Sequence, residues 1–445
     1  MKPKVFWALL VFFGIWSRPA AADNRFIVRV PSGLASLQQV CLVAGCNVSG
    51  GLDGSLGKLF LVTTPDLIDP QFFLQILRAQ PAITNAEIDS LLKVMQVAGT
   101  TQVSGASQGA GTTPPNGLSD TAAVNYFGVT VIDGYVNQPA SAIIRLPGTQ
   151  TDYHVTGAGT VAVIDTGVDP THPVLQGVLV PGYDFTRNTS GSGSELTDVN
   201  QSAIGSGASP VMVNQESAAI LDQQSASNLQ QPQFAAFGHG TMVSGIIHLV
   251  SPTALIMPLK AFKADGTGHL SDVLRAIYFA VQNYARVINM SFSISTYSGE
   301  MAAAIKFADR HQVICVASAG NDGRDETVYP AAFADVMGVA STTNNDTLSS
   351  FSNYGEDLVW VAAPGEGIVT TYPFGTYGAG WGTSFSAPFV SGAAALLLGT
   401  NMNFDESSAA HALAQAVWIS DDLGNGRVDL YKALNAALNH PPDPE

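Results

Sequence analysis

The chain has little cysteine, little positive charge and few charged residues of either sign. Three cysteines, Cys41, Cys46 and Cys315, among 445 residues exclude a scaffold held mainly by disulfides. The 19 basic against 35 acidic residues give a formal net charge of −16 without any basic cluster, which argues against nucleic acid as a partner. Hydrophobic residues make up 46% of the chain, so we expect a globular protein with a large core and room for more than one domain.

Long hydrophobic runs are also missing beyond the first residues. Lys2 and Lys4 precede an apolar stretch over 5–16, and the small residues Ala20-Ala21-Ala22 follow it. This layout is typical of a secretory signal peptide, so we expect residues 1–22 to be removed. The competing interpretation is a membrane anchor, but the stretch is shorter than the ~20 residues that a span requires. The sequence therefore predicts a secreted protein, extracellular or periplasmic, with no membrane span after signal removal.

Composition divides the rest of the chain into a small unit, a linker and a larger domain. Residues 23–95 predict a small α+β unit, and residues 96–118, rich in Gly, Ser, Thr and Pro, are typical of a flexible linker. Over 119–440, apolar strands alternate with helices, which predicts an α/β fold with a mostly parallel sheet and helices on both faces. The low-complexity stretch 188–233 is too long for an ordinary connection. It predicts a surface insertion that either rims a cleft or has no role.

The small unit is predicted to contain two strands and two helices. Strands are expected over 25–30 and 58–63, and helices over 36–43 and 70–80. Cys41 and Cys46 can pair if the loop between them turns back, while Cys315, inside an apolar strand, is expected to be a buried thiol.

Asp165, His239 and Ser384 are the candidate catalytic residues. Each lies beside glycines or small residues, and they follow one another in that order along the chain. A serine hydroxyl is a weak nucleophile until an imidazole takes its proton, and the imidazole works best when a carboxylate fixes its tautomer. Taken singly, the Asp-Thr-Gly segment also fits an aspartic protease, and a glycine-flanked histidine also fits a structural role. The three together predict a serine hydrolase.

With a fourth segment, Ser318-Ala319-Gly320-Asn321, the chain resembles the subtilisin-like serine peptidases over about 161–434. Aspartate, then histidine, then serine is the order of the subtilisin triad. The resemblance implies a subtilisin-like, doubly wound α/β fold and peptide-bond hydrolysis through an acyl-enzyme. It also implies polypeptide substrates and no required organic cofactor. We expect a monomer.

Asn321 is the candidate oxyanion residue. Its side-chain amide would donate to the tetrahedral intermediate beside the backbone N–H of Ser384. The apolar strand predicted over 313–316 would bring Asn321 to the carboxyl edge of the sheet, and Ser384 is expected where an apolar helix begins. The alternative is that Asn321 only ends a strand in a turn, where Asn and Gly supply left-handed backbone geometry.

The resemblance also assigns the small unit and the substrate-binding segments. Residues 23–95 resemble the family's inhibitory propeptide, of the inhibitor I9 kind, so the chain's own propeptide is expected to act as an intramolecular inhibitor until cleavage in or near the linker. The alternative is a permanent accessory domain. The segments that would bind an extended substrate by adding a strand contain Gly266, Gly268, Ser291, Phe292 and Ser293. Val328 stands where relatives often carry a smaller residue, which predicts a shortened specificity pocket.

The chain departs from the family pattern without losing a reacting group. Phe385 replaces the usual Met after the nucleophile, Ser386 replaces Ala, Met242 replaces a second His, and Ser293 replaces Gly. Because phenyl rings do not form sulfoxides, Phe385 predicts an enzyme that is less sensitive to peroxide.

No metal ligand can be assigned from the sequence. The segment 421–429 superficially resembles an EF-hand loop, but Leu423 and Lys432 stand where calcium needs oxygen ligands, so it predicts a turn before a last helix over 430–438. The loop that carries a tight calcium site in many relatives is missing between Ile247 and Ser251. A weaker structural calcium site is compatible with the resemblance, but the sequence assigns no residues to it.

Three rival functions each fit part of the sequence. An esterase or lipase of the α/β-hydrolase class would need a Gly-x-Ser-x-Gly elbow, which Ser384 lacks. The acid-acting sedolisins use Glu where His239 stands. A binding protein on a peptidase fold conflicts with the complete catalytic set, although only an assay distinguishes the two.

Overall fold

The structure, a computed structural model, describes residues 24–65, 68–94, 116–191, 193–199, 211–213, 219–221 and 232–439. The predicted signal peptide, most of the 96–118 linker and most of the 188–233 insertion lie outside the described residues. The chain divides into two compact units. Among the described residues, the first unit contains those within 24–51 and 58–88, and the second contains those within 52–57 and from Asp89 onward.

The first unit is an antiparallel sheet covered by two helices. Its elements are β1 Asn24–Arg29, α1 Leu34–Ala44, β2 Asn47–Gly51, β3 Leu59–Thr64, α2 Pro70–Arg78 and β4 Asn85–Ile88, and the sheet order is β2-β3-β1-β4. Alternate strand residues face the helices, and the rings of Phe26 and Phe73 lie 5.3 Å apart. Cys41 and Cys46 form a disulfide at the end of α1. The sequence predicted β1, β3 and both helices and missed β2 and β4.

The second unit contains the remaining strands. These are β5 Leu91–Lys93, β6 Ala123–Tyr126, β7 Val129–Ile132, β8 Thr160–Asp165, β9 Gly182–Asp184, β10 Thr189–Gly191, β11 Val211–Val213, β12 Ala219–Leu221, β13 Leu255–Lys260, β14 Thr267–His269, β15 Val287–Met290, β16 Ile314–Ser318, β17 Met337–Thr342, β18 Val361–Pro364, β19 Ile368–Tyr372 and β20 Thr376–Gly380. Eight of them form the main sheet, in the order β10-β9-β13-β8-β15-β16-β17-β18. Every neighbouring pair is parallel except β10 with β9. The predicted α/β fold with a mostly parallel sheet is thus confirmed.

Helices cover both faces of this sheet. They are α3 Asn116–Ser119, α4 Asp133–Val136, α5 Pro139–Ile143, α6 Leu146–Tyr153, α7 His239–Val250, α8 Leu270–Gln282, α9 Gly299–Asp309, α10 Thr383–Thr400, α11 Glu406–Leu413 and α12 Leu430–Asn439. Val161 and Val163 share one buried cluster with α7 and α10. Ala162 and Ile164, which alternate with them and are also buried, lie outside that cluster, on the side where α8 and α9 pack.

Among the described residues, α10 is the one helix long and apolar enough to cross a membrane, and 89% of it is buried inside the protein. It contacts five strands of the main sheet and the helix α7, so it is the central core helix of this unit. Its position explains its composition, because a helix buried on all sides has no polar face.

The order of the strands brings the candidate residues to one edge. β8, β15 and β16 are neighbours in the sheet, and all three run in the same direction. Residues that follow these strands therefore meet at their carboxyl ends, the edge where open parallel sheets bind ligands.

Candidate active site

Asp165 ends strand β8 and is 1% exposed. Its Oδ1 accepts a hydrogen bond from the backbone N–H of Thr166 at 2.7 Å. The strand stops because Gly167 adopts a φ of +101°, and a Cβ there would lie 2.3 Å from the carbonyl oxygen of Gly193. The carboxylate is thus fixed at the carboxyl edge of the sheet.

His239 is the first residue of α7, and its ring contacts Asp165. Nδ1 lies 2.8 Å from Oδ1 and 3.0 Å from Oδ2 of that carboxylate, so Nδ1–H donates and the tautomer with a bare Nε2 is favoured. Nε2 is buried and has no hydrogen-bond partner among the described residues. Gly238 makes the turn into the helix with a φ of +88°, and a Cβ there would lie 2.3 Å from the ring of Tyr372.

Ser384 lies in the first turn of α10, where backbone N–H groups and the positive end of the helix dipole favour negative charge. Its Oγ donates to the carbonyl oxygen of Ser291 at 3.1 Å, and the Ser291 hydroxyl donates to the Ser384 carbonyl oxygen at 3.1 Å. The next residue, Phe385, has its ring centroid 5.7 Å from that of His239. The first turns of α7 and α10 therefore meet.

Asn321 follows β16 and is held beside the nucleophile. Its Oδ1 accepts from both the backbone N–H and the hydroxyl of Thr383, each at 2.9 Å. The backbone N–H of Gly320 also donates to the Thr383 hydroxyl, at 3.2 Å. Because Oδ1 is anchored next to Ser384, the NH₂ end is the part of this amide that can serve as a donor for a substrate oxygen.

One predicted binding segment carries an added strand. β14 pairs antiparallel with β5, in the register Gly268 to Leu92, and the backbone N–H of Val94 donates to the carbonyl oxygen of Gly266 at 2.8 Å. Leu92 and Val94 are buried, whereas Leu91 is 62% exposed. A segment of this same chain thus occupies the sheet edge where the sequence analysis expected a substrate strand.

The second predicted segment contacts the nucleophile mainly through Ser291. Phe292 is fully buried, and its ring packs 5.1 Å from that of Phe262, so its side chain belongs to the core rather than to a cleft surface. Ser293 is half-buried, and Val328 is 4% exposed. The loop of Val328 joins this segment through an antiparallel bridge between Ile294 and Tyr329.

Two acidic residues near these segments were missed by the sequence analysis. Asp89 accepts from the backbone N–H and the hydroxyl of Ser271 at 2.8 Å each, so it caps the first turn of α8. Glu195 is fully buried beside the Asp165 and His239 segments. It lies within the low-complexity stretch, whose composition gave no sign of a buried carboxyl. The Asp89 cap spans 182 residues along the chain, which no local pattern reveals.

Within the parts of the chain that the structure describes, no group of three or more His, Cys, Asp or Glu side chains is arranged to hold a metal ion. In the segment that superficially resembles an EF-hand loop, Asp421–Leu423 forms a 3₁₀ turn. Asp429 accepts from Arg145 at 2.9 Å and from the backbone N–H of Lys432 at 3.0 Å, so its carboxylate is used in capping α12.

Comparison with known families gives a match over 157–432 to the family described as the subtilase family. Thermitase of Thermoactinomyces vulgaris is 31% identical over 62% of this chain and 89% of its own length. The thermophilic serine proteinase of Bacillus sp. (strain AK1) is 33% identical over 57% of this chain. The match spans 57% of that proteinase's own length.

Among solved structures, fervidolysin from Fervidobacterium pennivorans, a keratinolytic enzyme related to subtilisin, is similar with a TM-score of 0.66. The similarity covers 93% of this chain and 61% of fervidolysin, at 21% sequence identity. At this identity the likeness establishes a common fold.

Proposed function

Since the chain belongs to the subtilase family, whose members are serine endopeptidases, we propose that it is a secreted serine endopeptidase made as a self-processing zymogen. The observation that supports the activity most strongly is the His239–Asp165 contact at 2.8 Å, with Nε2 buried and available as a base. Resemblance in sequence supports the same roles, since Asp, His and Ser follow the subtilisin order.

The mechanism proceeds through an acyl-enzyme. The Ser384 hydroxyl leaves the Ser291 carbonyl oxygen, gives its proton to Nε2 of His239, and Oγ attacks the scissile carbonyl carbon. Asp165 holds Nδ1–H and stabilises the imidazolium. The oxyanion accepts from the Asn321 amide and the Ser384 backbone N–H. The C–N bond then breaks as His239 protonates the leaving amine, and water releases the acyl group by the same proton path.

The zymogen proposal is supported by the strand β5. It pairs with β14 as an extended substrate would, with Leu92 and Val94 buried and Asp89 bound to α8. A strand that fills this edge excludes substrate from it. Residues 23–95 would thus inhibit the enzyme until the chain is cut in or near 96–118, after removal of the signal peptide 1–22.

The test is to express residues 23–445 as wild type and as Ser384→Ala, and to follow intact mass and casein hydrolysis. We expect the wild type to lose roughly its first 75 to 95 residues, a length set by the position of the linker 96–118, and to digest casein. The Ser384→Ala variant stays full length and inactive. If both proteins stay full length and inactive, the self-processing part of the proposal is wrong. Wild type that stays inactive after an added protease has cut the linker would refute the peptidase activity itself.

A further inference from the structure

Glu195 is a buried carboxyl that the proposed mechanism does not use. It begins the 3₁₀ helix Glu195–Asp198, follows Ser194, and has no exposed surface. A carboxyl group is rarely buried unless its oxygens are hydrogen-bonded, because burial without partners costs several kcal/mol. The partners of Glu195 therefore indicate its role.

One carboxyl oxygen binds the residues that precede His239 and follow Asp165. Oε2 accepts from the backbone N–H of Gly238 at 2.8 Å and from the Thr166 hydroxyl at 3.1 Å. The Thr166 hydroxyl in turn accepts from the backbone N–H of Gly240 at 3.0 Å. Both peptide N–H groups that flank His239 are thus connected to this oxygen, one directly and one through Thr166.

The other carboxyl oxygen binds a side chain in the first turn of α7. Oε1 contacts the Thr241 hydroxyl, which also accepts from the backbone N–H of Asp169 at 2.8 Å. Glu195 therefore joins the loop after Asp165 to the first turn of the helix that begins with His239. These are the two segments whose relative position sets the distance between the Asp165 carboxylate and the His239 ring.

Charged groups of both signs lie near Glu195. Asp165, Tyr372 and Lys260 are titratable neighbours of Glu195. The Lys260 ammonium donates to the Thr166 carbonyl oxygen at 2.6 Å and to Asp198 at 2.7 Å. Burial raises the pKa of Glu195 to about 8, against the hydrogen bonds from Thr241 and Gly238 and the charge of Lys260. The neutral form of this carboxyl is thus favoured more strongly than that of an exposed glutamate.

We propose that Glu195 is a positioning residue that fixes the start of the His239 helix against the end of the Asp165 strand. This inference rests on the proposed peptidase function. Glutamine keeps the shape and the contacts of Oε2, because its oxygen can accept from Gly238 and Thr166. Its NH₂ takes the place of Oε1, so the Thr241 hydroxyl must accept where it now donates. Alanine removes all three contacts.

The test compares wild type, Glu195→Gln, Glu195→Ala and the exposed control Glu356→Ala on a chromogenic peptide amide, after intact mass shows complete processing. We expect Glu195→Ala to lose about 10- to 100-fold in kcat with little change in KM, because small displacements of reacting groups cost this much. The acid limb of its pH profile should move to lower pH, since a loosened carboxylate stabilises the imidazolium less. Glu195→Gln should retain kcat within about threefold at neutral pH, and Glu356→Ala should match wild type.

A folded Glu195→Ala with wild-type kcat and an unchanged pH profile would overturn the inference, as would a Glu195→Gln as impaired as Glu195→Ala. If Glu195→Ala fails to fold, Thr241→Val decides, because it preserves shape and removes the hydroxyl that contacts Glu195 and accepts from the Asp169 N–H. Thr241→Ser, which keeps this hydroxyl, is its matched control. A lower kcat at constant KM supports the inference, and an unchanged kcat overturns it. A wild type without activity overturns the proposed function, and this inference with it.

Discussion

Acid should destabilise the protein through His248, which lies on α7 and is 2% exposed. Its Nδ1 lies 3.2 Å from the Tyr135 hydroxyl, which donates to the carbonyl oxygen of Gly245 at 2.6 Å. Burial, with a smaller contribution from nearby His172, lowers the pKa of His248 to about 4. Protonation would place a charge among apolar side chains, so the folded state resists it.

The direction and the size of the pH effect on the free energy of unfolding follow from the pKa of His248. Because the folded pKa lies below the ordinary value of 6.5, the unfolded chain binds the proton more readily between those limits. The His248 contribution is intact above about pH 6.5 and is lost as the pH falls toward about 4. A difference of roughly 2.5 pKa units corresponds to a maximum loss of about 3 kcal/mol in the free energy of unfolding. The raised pKa of Glu195 acts in the opposite sense, since its contribution is lost as the pH rises toward 8.

Urea unfolding of Ser384→Ala, which cannot digest itself, measures this free energy across the pH range. Between about pH 7 and pH 4, the free energy of unfolding of His248→Gln in that background should fall by about 3 kcal/mol less than that of its parent. His311→Gln, at an exposed site, should follow the parent. The difference between variants isolates His248 from the other titrating groups. A His248→Gln variant that loses as much stability as its parent would refute the reasoning.

Three further predictions concern the active site. Asn321→Ala should lower kcat on a peptide amide by about 10²–10³ with KM little changed, as loss of this donor does in subtilisin, and an unchanged kcat would exclude the oxyanion role. Gly238→Ala should lower the melting temperature and abolish casein hydrolysis, because its Cβ would lie 2.3 Å from the Tyr372 ring at a φ of +88°; Gly148→Ala, with nothing within 4 Å, should melt like wild type. Peroxide should inactivate the enzyme more slowly than its Phe385→Met variant, since the residue after Ser384 is then a thioether instead of a phenyl ring. Equal rates of inactivation would count against this.

The sequence predicted the elements whose signals are local. The segments of the three candidate catalytic residues carry such signals: Asp165 ends β8, and His239 and Ser384 lie in the first turns of α7 and α10. Such positions follow from runs of apolar residues bounded by glycines, which need no knowledge of the rest of the chain.

The remaining features depend on contacts between distant segments. β5 pairs with β14 across more than 170 residues, and Glu195 reaches Gly238 and Thr241 from a stretch whose composition indicated only an insertion. Neither contact leaves a periodic pattern, because each depends on one or two backbone or side-chain hydrogen bonds. Phe292 was expected in the binding segment, yet its side chain packs against Phe262, since alternate residues of an extended segment point to opposite sides.

The most direct test of the central claim is to label the matured protein with phenylmethylsulfonyl fluoride and to locate the label by peptide mass spectrometry. The account predicts a single adduct on Ser384, with hydrolysis of casein lost in proportion to labelling. A label on another serine with loss of activity, or full activity after complete labelling of Ser384, would contradict it.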